Sequence, residues 1–118
     1  ITVSAYAVPA STPTRVDPVT GQPMSKNVSA GSAFGTKATL TNLDETSRTV
    51  RIFFVVERDG VPLMYGTSTI TLATGQSFEP TQGWVVSQAG SYTVRITVTD
   101  ATTSVTLSEE QMVEYTVT

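Results

Sequence analysis

The sequence predicts an all-β protein, an antiparallel sandwich or barrel of about seven to nine short strands with no disulfide, the sandwich being favoured. Three observations carry that expectation. Apolar and polar residues alternate with a period of two along much of the 118-residue chain, and helical spacing is nearly absent. Thr (22 residues), Val (16) and Ser (12) dominate the composition; β-branched side chains fit a pleated sheet and lose rotamer freedom in a helix. Gly, Pro and Asp punctuate the alternation at intervals of about 8–12 residues, the spacing of short strands joined by turns.

The elements follow in order. Ile1–Val8 (ITVSAYAV) reads as a first strand. Pro9–Ser32 is rich in Pro, Gly and Ser, long for a connection inside a domain, and should hold a turn at Val19-Thr20-Gly21-Gln22 and a short edge strand. Ala33–Asn42 is the next strand, with Ala38 and Leu40 inward. After a polar turn at Asp44–Ser47, Thr49–Arg58 (TVRIFFVVER) gives the strongest strand signal, with Val50, Ile52, Phe54 and Val56 on one face and Arg51, Phe53, Val55 and Glu57 on the other. Asp59-Gly60 is a hairpin signal. Val61–Tyr65 returns beside the strong strand, with Pro62 marking an edge. Thr67–Ala73 is a further strand, ended by Thr74-Gly75, and Ser77–Val86 is weakly patterned around Trp84. Ser91–Asp100 alternates cleanly, with Tyr92, Val94, Ile96 and Val98 inward. Leu107–Val113 reads as a short helical turn capped by Ser108 or as a polar loop. Val113, Tyr115 and Val117 mark the last strand.

A chain of this length suits one domain, here residues 1–118, with 9–32 as a connection within it. With no cysteine and no histidine, Ser-His-Asp and Cys-His nucleophile systems are excluded. So are zinc, haem and iron–sulfur sites built on the usual ligands. Seven basic against ten acidic side chains, a net charge of −3, argue against nucleic acid as a partner. No catalytic residue, cofactor or metal site is expected. Asp44-Glu45 and Glu109-Glu110 are adjacent pairs, which face apart in a strand and are solvated in a loop. The Gly residues lie in turns and open no phosphate-binding helix. No apolar run is long enough for a membrane helix. The chain begins at Ile1 and reads as a trimmed or mature fragment from which any signal or anchor has been removed. Many Thr and few charges are common in secreted and envelope β-proteins, so an extracellular or cell-envelope location is expected, without direct membrane insertion by these residues.

Ala89-Gly90-Ser91-Tyr92-Thr93-Val94 resembles the start of strand F in immunoglobulin-like domains, where the Tyr forms a structural corner; Val94 stands where those domains place a disulfide cysteine. A broader pattern runs from Leu40 to Thr99 through Thr41-Asn42, Asp59-Gly60, Leu72-x-x-Gly75-Gln76, Trp84 and Gly90-x-Tyr92. It resembles the cysteine-free immunoglobulin-like modules of bacterial and archaeal envelope proteins called CARDB. It is also similar to soluble domains of archaeal surface filaments and archaellum anchoring proteins. A comparable Asn…Gly…Leu-x-x-Gly…Trp…Gly-x-Tyr order occurs in bacterial intracellular proteinase inhibitors. These resemblances imply an immunoglobulin-like sandwich and a non-enzymatic binding role.

The informative anomaly is Ile52-Phe53-Phe54-Val55-Val56, five apolar residues in a row. If the even positions fill the core, Phe53 and Val55 stand on the outer face, where they form a protein interface or are covered by Pro9–Ser32 or by a part of the protein outside this sequence. The candidate interface is Arg51, Phe53, Val55 and Glu57 with Arg95 on the neighbouring strand. Its expected occupant is a second copy or a surface-layer, filament or other envelope protein. Two other readings stay open: an inhibitor presenting Pro9–Ser32 or Gly75–Trp84 to a protease, and a carbohydrate-binding module. Asn27-Val28-Ser29 is an N-glycosylation acceptor pattern.

Overall fold

The computed structural model describes residues 7–118. Among them ten strands form and no helix: β1 (Thr14–Val16), β2 (Asn27–Val28), β3 (Ala33–Lys37), β4 (Leu40–Thr41), β5 (Arg48–Arg58), β6 (Val61–Leu72), β7 (Ser77–Phe78), β8 (Thr81–Val85), β9 (Gly90–Asp100) and β10 (Gln111–Val117). One layer is a five-stranded sheet in the order β2-β10-β9-β5-β6. The second is the three-stranded sheet β1-β3-β8, continued by the pair β4-β7. The Ala38 N–H, between β3 and β4, donates to the Pro80 carbonyl between β7 and β8 at 3.2 Å, linking the two parts.

Alternation sets the core. Val50, Ile52, Phe54 and Val56 of β5 and Tyr92, Val94, Ile96 and Val98 of β9 are all buried, each apolar side chain contributing about 1.5–3 kcal/mol on leaving water. Aromatic contacts join the layers. Trp84 of β8 lies 6.0 Å, ring to ring, from Phe54 of β5, and Phe34 of β3 lies 4.6 Å from Tyr115 of β10. The buried Thr36 and Tyr115 hydroxyls hydrogen-bond at 2.9 Å, and Tyr115 also donates to the Gly35 carbonyl. Burial accordingly holds the Tyr115 phenol above its ordinary pKa.

Several elements differ from the sequence expectation. Of the first expected strand, residues 1–6 lie outside the described residues, and Ala7 and Val8 form a bend. Pro9–Ser32 holds two short strands and ties both edges of the sandwich: β1 pairs antiparallel with β3, and β2 pairs parallel with β10. Its turn sits slightly earlier than expected, at Pro18–Thr20, because the Asp17 carboxylate accepts the Val19 and Thr20 N–H groups. Ala33–Asn42 is split at Ala38–Thr39 into β3 and β4. Val61–Tyr65 and Thr67–Ala73 are one strand, β6, which passes through Gly66 unbroken. A Cβ on Gly66 would meet the Gln82 side chain at 2.9 Å, so this glycine marks a close approach rather than a break. Of the two readings of Leu107–Val113, residues 107–110 are a loop, and Gln111–Val113 already belong to β10. Ser108 caps no helix; it is buried, and its Oγ accepts the Ala10 N–H at 2.8 Å. The strand count exceeds nine because β2, β4 and β7 are two-residue strands.

Candidate interaction surface

β5 runs through the five-stranded sheet between β6 and β9. Its register fixes what flanks each outward side chain. Phe53 lies between Thr67 and Thr97, Val55 between Tyr65 and Arg95, and Arg51 between Thr69 and Thr99. A bulge after Val56 then places Glu57 between Pro62 and Thr93. Phe53 and Val55 are half-buried, a degree of shelter that flanking strands give a residue on an open sheet face.

Residues 9–32 do not lie over this face. Their described hydrogen bonds and pairings to the rest of the chain go to β3, to Thr39 and Leu40, to Val86, to Ser108, and to β10 and Thr118. Gly35 and Gly83, paired across β3 and β8, show where the connection does rest. A Cβ on either would come within 3.2 Å or 2.5 Å, respectively, of Pro18 Cβ. The connection therefore packs on the opposite layer.

The charged members of the five candidates differ in their partners. Arg95 Nε donates to Glu57 Oε1 at 2.6 Å and its Nη1 to Glu110 Oε1 at 3.0 Å. The bond to Glu57 and then that to Glu110 raise the Arg95 pKa further above its ordinary value, so the guanidinium is a fixed charge. Arg95 is thereby held across the sheet, opposite Val55. Arg51 is half-buried beside two threonines.

Two residues join this surface that sequence reasoning did not select. Tyr65 is opposite Val55 on β6 and is 73% exposed; Met112 is opposite Arg95 on β10 and is 47% exposed. Tyr65, Val55, Arg95 and Met112 thus form one row across β6, β5, β9 and β10. Only the register brings them together, and no local pattern in the sequence signals it.

The remaining expected residues fall elsewhere. Asn27 is exposed on β2, opposite Thr116, and Ser29 is exposed two residues on. Tyr92 is buried in β9, and its hydroxyl donates to the Gln88 carbonyl at 2.7 Å. Of the two segments considered for presentation to a protease, Gly75–Trp84 contains β7 and most of β8, paired with β4 and β3, so it is not a free loop.

The Arg48 guanidinium first, and the Glu45 N–H second, hold Asp44 below the ordinary carboxylate range. The N–H groups of Thr103 and Thr102 do the same for Asp100. A general acid working near neutrality needs the opposite shift. Among the described residues no three His, Cys, Asp or Glu side chains gather to hold a metal ion, and no helix is long and apolar enough to cross a membrane.

No protein-family model matches the sequence, and no curated protein sequence does. Solved structures do match. The crystal structure of the CARDB domain of a Pyrococcus furiosus protein, in complex with di-metal ions, has a TM-score of 0.69 at 17% identity and covers 98% of this chain and 97% of that one. A solution structure of the same domain gives 0.67 at 18% identity with the same coverage. A β-glucosidase from Erythrobacter marinus gives 0.70 at 9% identity, but this chain spans only 16% of it. An alkylpurine DNA glycosylase from Pseudomonas fluorescens gives 0.68 at 9% identity, with 30% of that chain covered. The enzyme matches are thus to a minor part of each enzyme. The CARDB match runs end to end, and this chain has the cysteine-free, immunoglobulin-like β-sandwich fold of a CARDB domain.

Proposed function

We propose that this chain is a non-enzymatic extracellular or cell-envelope module that works by protein–protein contact, as a structural repeat, a filament subunit or the soluble part of an anchored protein. The observation that carries the reading is the outer face of the five-stranded sheet. There the row Tyr65–Val55–Arg95–Met112, with Phe53 beside it, presents apolar surface inside a frame of threonines. Apolar area of this kind, rimmed by polar groups, binds by exclusion of water with orientation set by the rim. Within the row, the Glu57–Arg95–Glu110 bridges hold its one charged side chain in one geometry. The Thr-rich, charge-poor composition and the likeness to a CARDB domain support an envelope location.

The test is Phe53→Glu, compared with the parent chain by sedimentation velocity and by binding to surface-layer or other envelope fractions. Loss of envelope binding, or of self-association beyond a dimer, with an unchanged circular dichroism spectrum is the expected result. Unfolding of the variant would instead assign Phe53 to the core and remove the proposed interface. A second reading, protease inhibition, draws on one feature: Val19 is 86% exposed at a turn braced by Asp17. It requires that Val19→Gly relieve inhibition of some member of a protease panel.

A further inference from the structure

β6 is the outer strand of the five-stranded sheet, and among the described residues no strand pairs with its free side. Its twelve residues extend for about 40 Å, close to the 45 Å length of the whole molecule. Half of its backbone N–H and C=O groups therefore face outward without a strand partner. Folded proteins ordinarily disarm such an edge with charge, proline or brevity.

The other edges here are disarmed. β1 has three residues between Pro13 and Pro18, β2 has two, the stretch of β10 beyond β2 carries Glu114, and β8 has five and follows Glu79-Pro80. β6 differs from all of them. From Gly60 to Phe78 there is no charged residue, the longest such stretch in the chain, and its lone proline, Pro62, stands at one end.

We propose that β6 pairs antiparallel with β6 of a second copy of this chain across a two-fold axis near Thr67, joining two five-stranded sheets into one of ten strands. Several observations select a second copy as the occupant. The strand is self-complementary: with no charge along it, antiparallel pairing brings no like charges together. An axis at Thr67 sets Thr67 against its symmetry mate, Tyr65 against Thr69 and Leu63 against Thr71, and it leaves Pro62 at the periphery. Thr–Thr and aromatic–Thr pairs of this kind stabilise antiparallel sheets. A foreign peptide would need side-chain pockets along the edge for specificity, whereas the exposed Thr67, Thr69 and Thr71 offer short hydroxyl side chains. The assembly also closes. Once both β6 edges are joined, each end of the ten-stranded sheet is the two-residue β2 and the stretch of β10 that β2 leaves unpaired, where Glu114 stands and its carbonyl accepts Arg15 Nε, so a dimer rather than a fibre results.

This dimer uses the edge of the sheet whose outer face is proposed above and adjoins that face at Tyr65 and Thr67, so an edge variant is paired with a face variant to separate the two. The 118-residue chain is run in sedimentation velocity over a concentration series, beside Thr67→Lys, which places two positive charges at the axis, and Phe53→Glu. The proposal expects a reversible parent dimer, a loss of at least tenfold in dimer affinity for Thr67→Lys, and a dimer in Phe53→Glu. Because the chain has no cysteine, Thr67→Cys should form a single disulfide-linked dimer under mild oxidation. Amide exchange gives a readout needing no variant: β6 amides of the parent should slow as concentration rises. A parent that stays monomeric at millimolar concentration overturns the proposal. So does a dimer that survives Thr67→Lys, or one whose β6 amides exchange at the monomer rate.

Discussion

The Tyr92 hydroxyl reaches back four residues to the Gln88 carbonyl, while its ring packs 6.3 Å from that of Phe34. The side chain so links the turn before β9 to the core. Tyr92→Phe keeps the ring and deletes the bond, for an expected loss of about 1–1.5 kcal/mol, read as a lower urea midpoint at unchanged slope. Arg48 organises a second site. It donates to Asp44 at 2.6 Å and to Asp100 at 3.3 Å, joining the turn before β5 to the end of β9. Both carboxyls are held below the ordinary value, Asp44 mainly by Arg48 and Asp100 mainly by two backbone N–H groups. A depressed folded-state pKa means the native state binds the proton less readily than the unfolded chain. The stabilisation is therefore complete above the ordinary carboxylate pKa of about 4 and drains away as pH falls through the folded values. The melting temperature should be flat from about pH 7 to about 5 as far as these groups decide it, then fall below about 4. Asp100→Asn should flatten that acid decline; an unchanged decline would show that other carboxylates govern it.

At the scale of the element, the docking of the long connection rests on two glycines. Gly35 and Gly83 face each other across β3 and β8, and Pro18 lies over them. A Cβ on Gly83 would stand 2.5 Å from Pro18 Cβ, closer than any relaxed contact. Gly83→Ala should therefore displace the Asp17–Gln22 turn and destabilise the fold by about 1–3 kcal/mol, the usual range for overpacking. Gly21→Ala on the same turn meets no neighbour, although its φ of 75° strains any side chain. Its effect should stay within the turn, and amide exchange comparing the β3 and β8 amides in the two variants distinguishes them. These elements also show which signals in the sequence had force. β5 and β9 are legible residue by residue because each has a buried face and an outer face, so their alternation is complete. β6 reads in the sequence as two strands because Gly66 looks like a break, while the cause of that glycine, the Gln82 side chain, lies sixteen residues on. β2, β4 and β7 are too short for any period to register. The candidate surface was legible only within β5 and at Arg95. Tyr65 and Met112 enter through cross-strand register, which is set by turn lengths and by the bulge after Val56 rather than by local pattern.

At the scale of the molecule, both layers depend on partners distant in sequence. β3 pairs with β8, β5 with β9, and β2 with β10 near the far end of the chain. Loops must close before such pairings return any free energy, so the fold should form slowly, in milliseconds to seconds, without an early stable fragment. Trp84 reports on this directly. It is the one tryptophan, it lies on β8 of one layer, and its ring is 6.0 Å from Phe54 of the other layer and 6.0 Å from Phe34 of its own. Its emission can turn blue only when the two sheets have met. Val50, Ile52, Phe54 and Val56 have no other layer to bury them, so β5 should not persist as part of a free sheet after the layers separate. Trp84 fluorescence and far-ultraviolet circular dichroism should then give one coincident urea transition and the same single refolding rate. A circular dichroism signal that persists past the fluorescence transition would mean the five-stranded sheet outlives the sandwich.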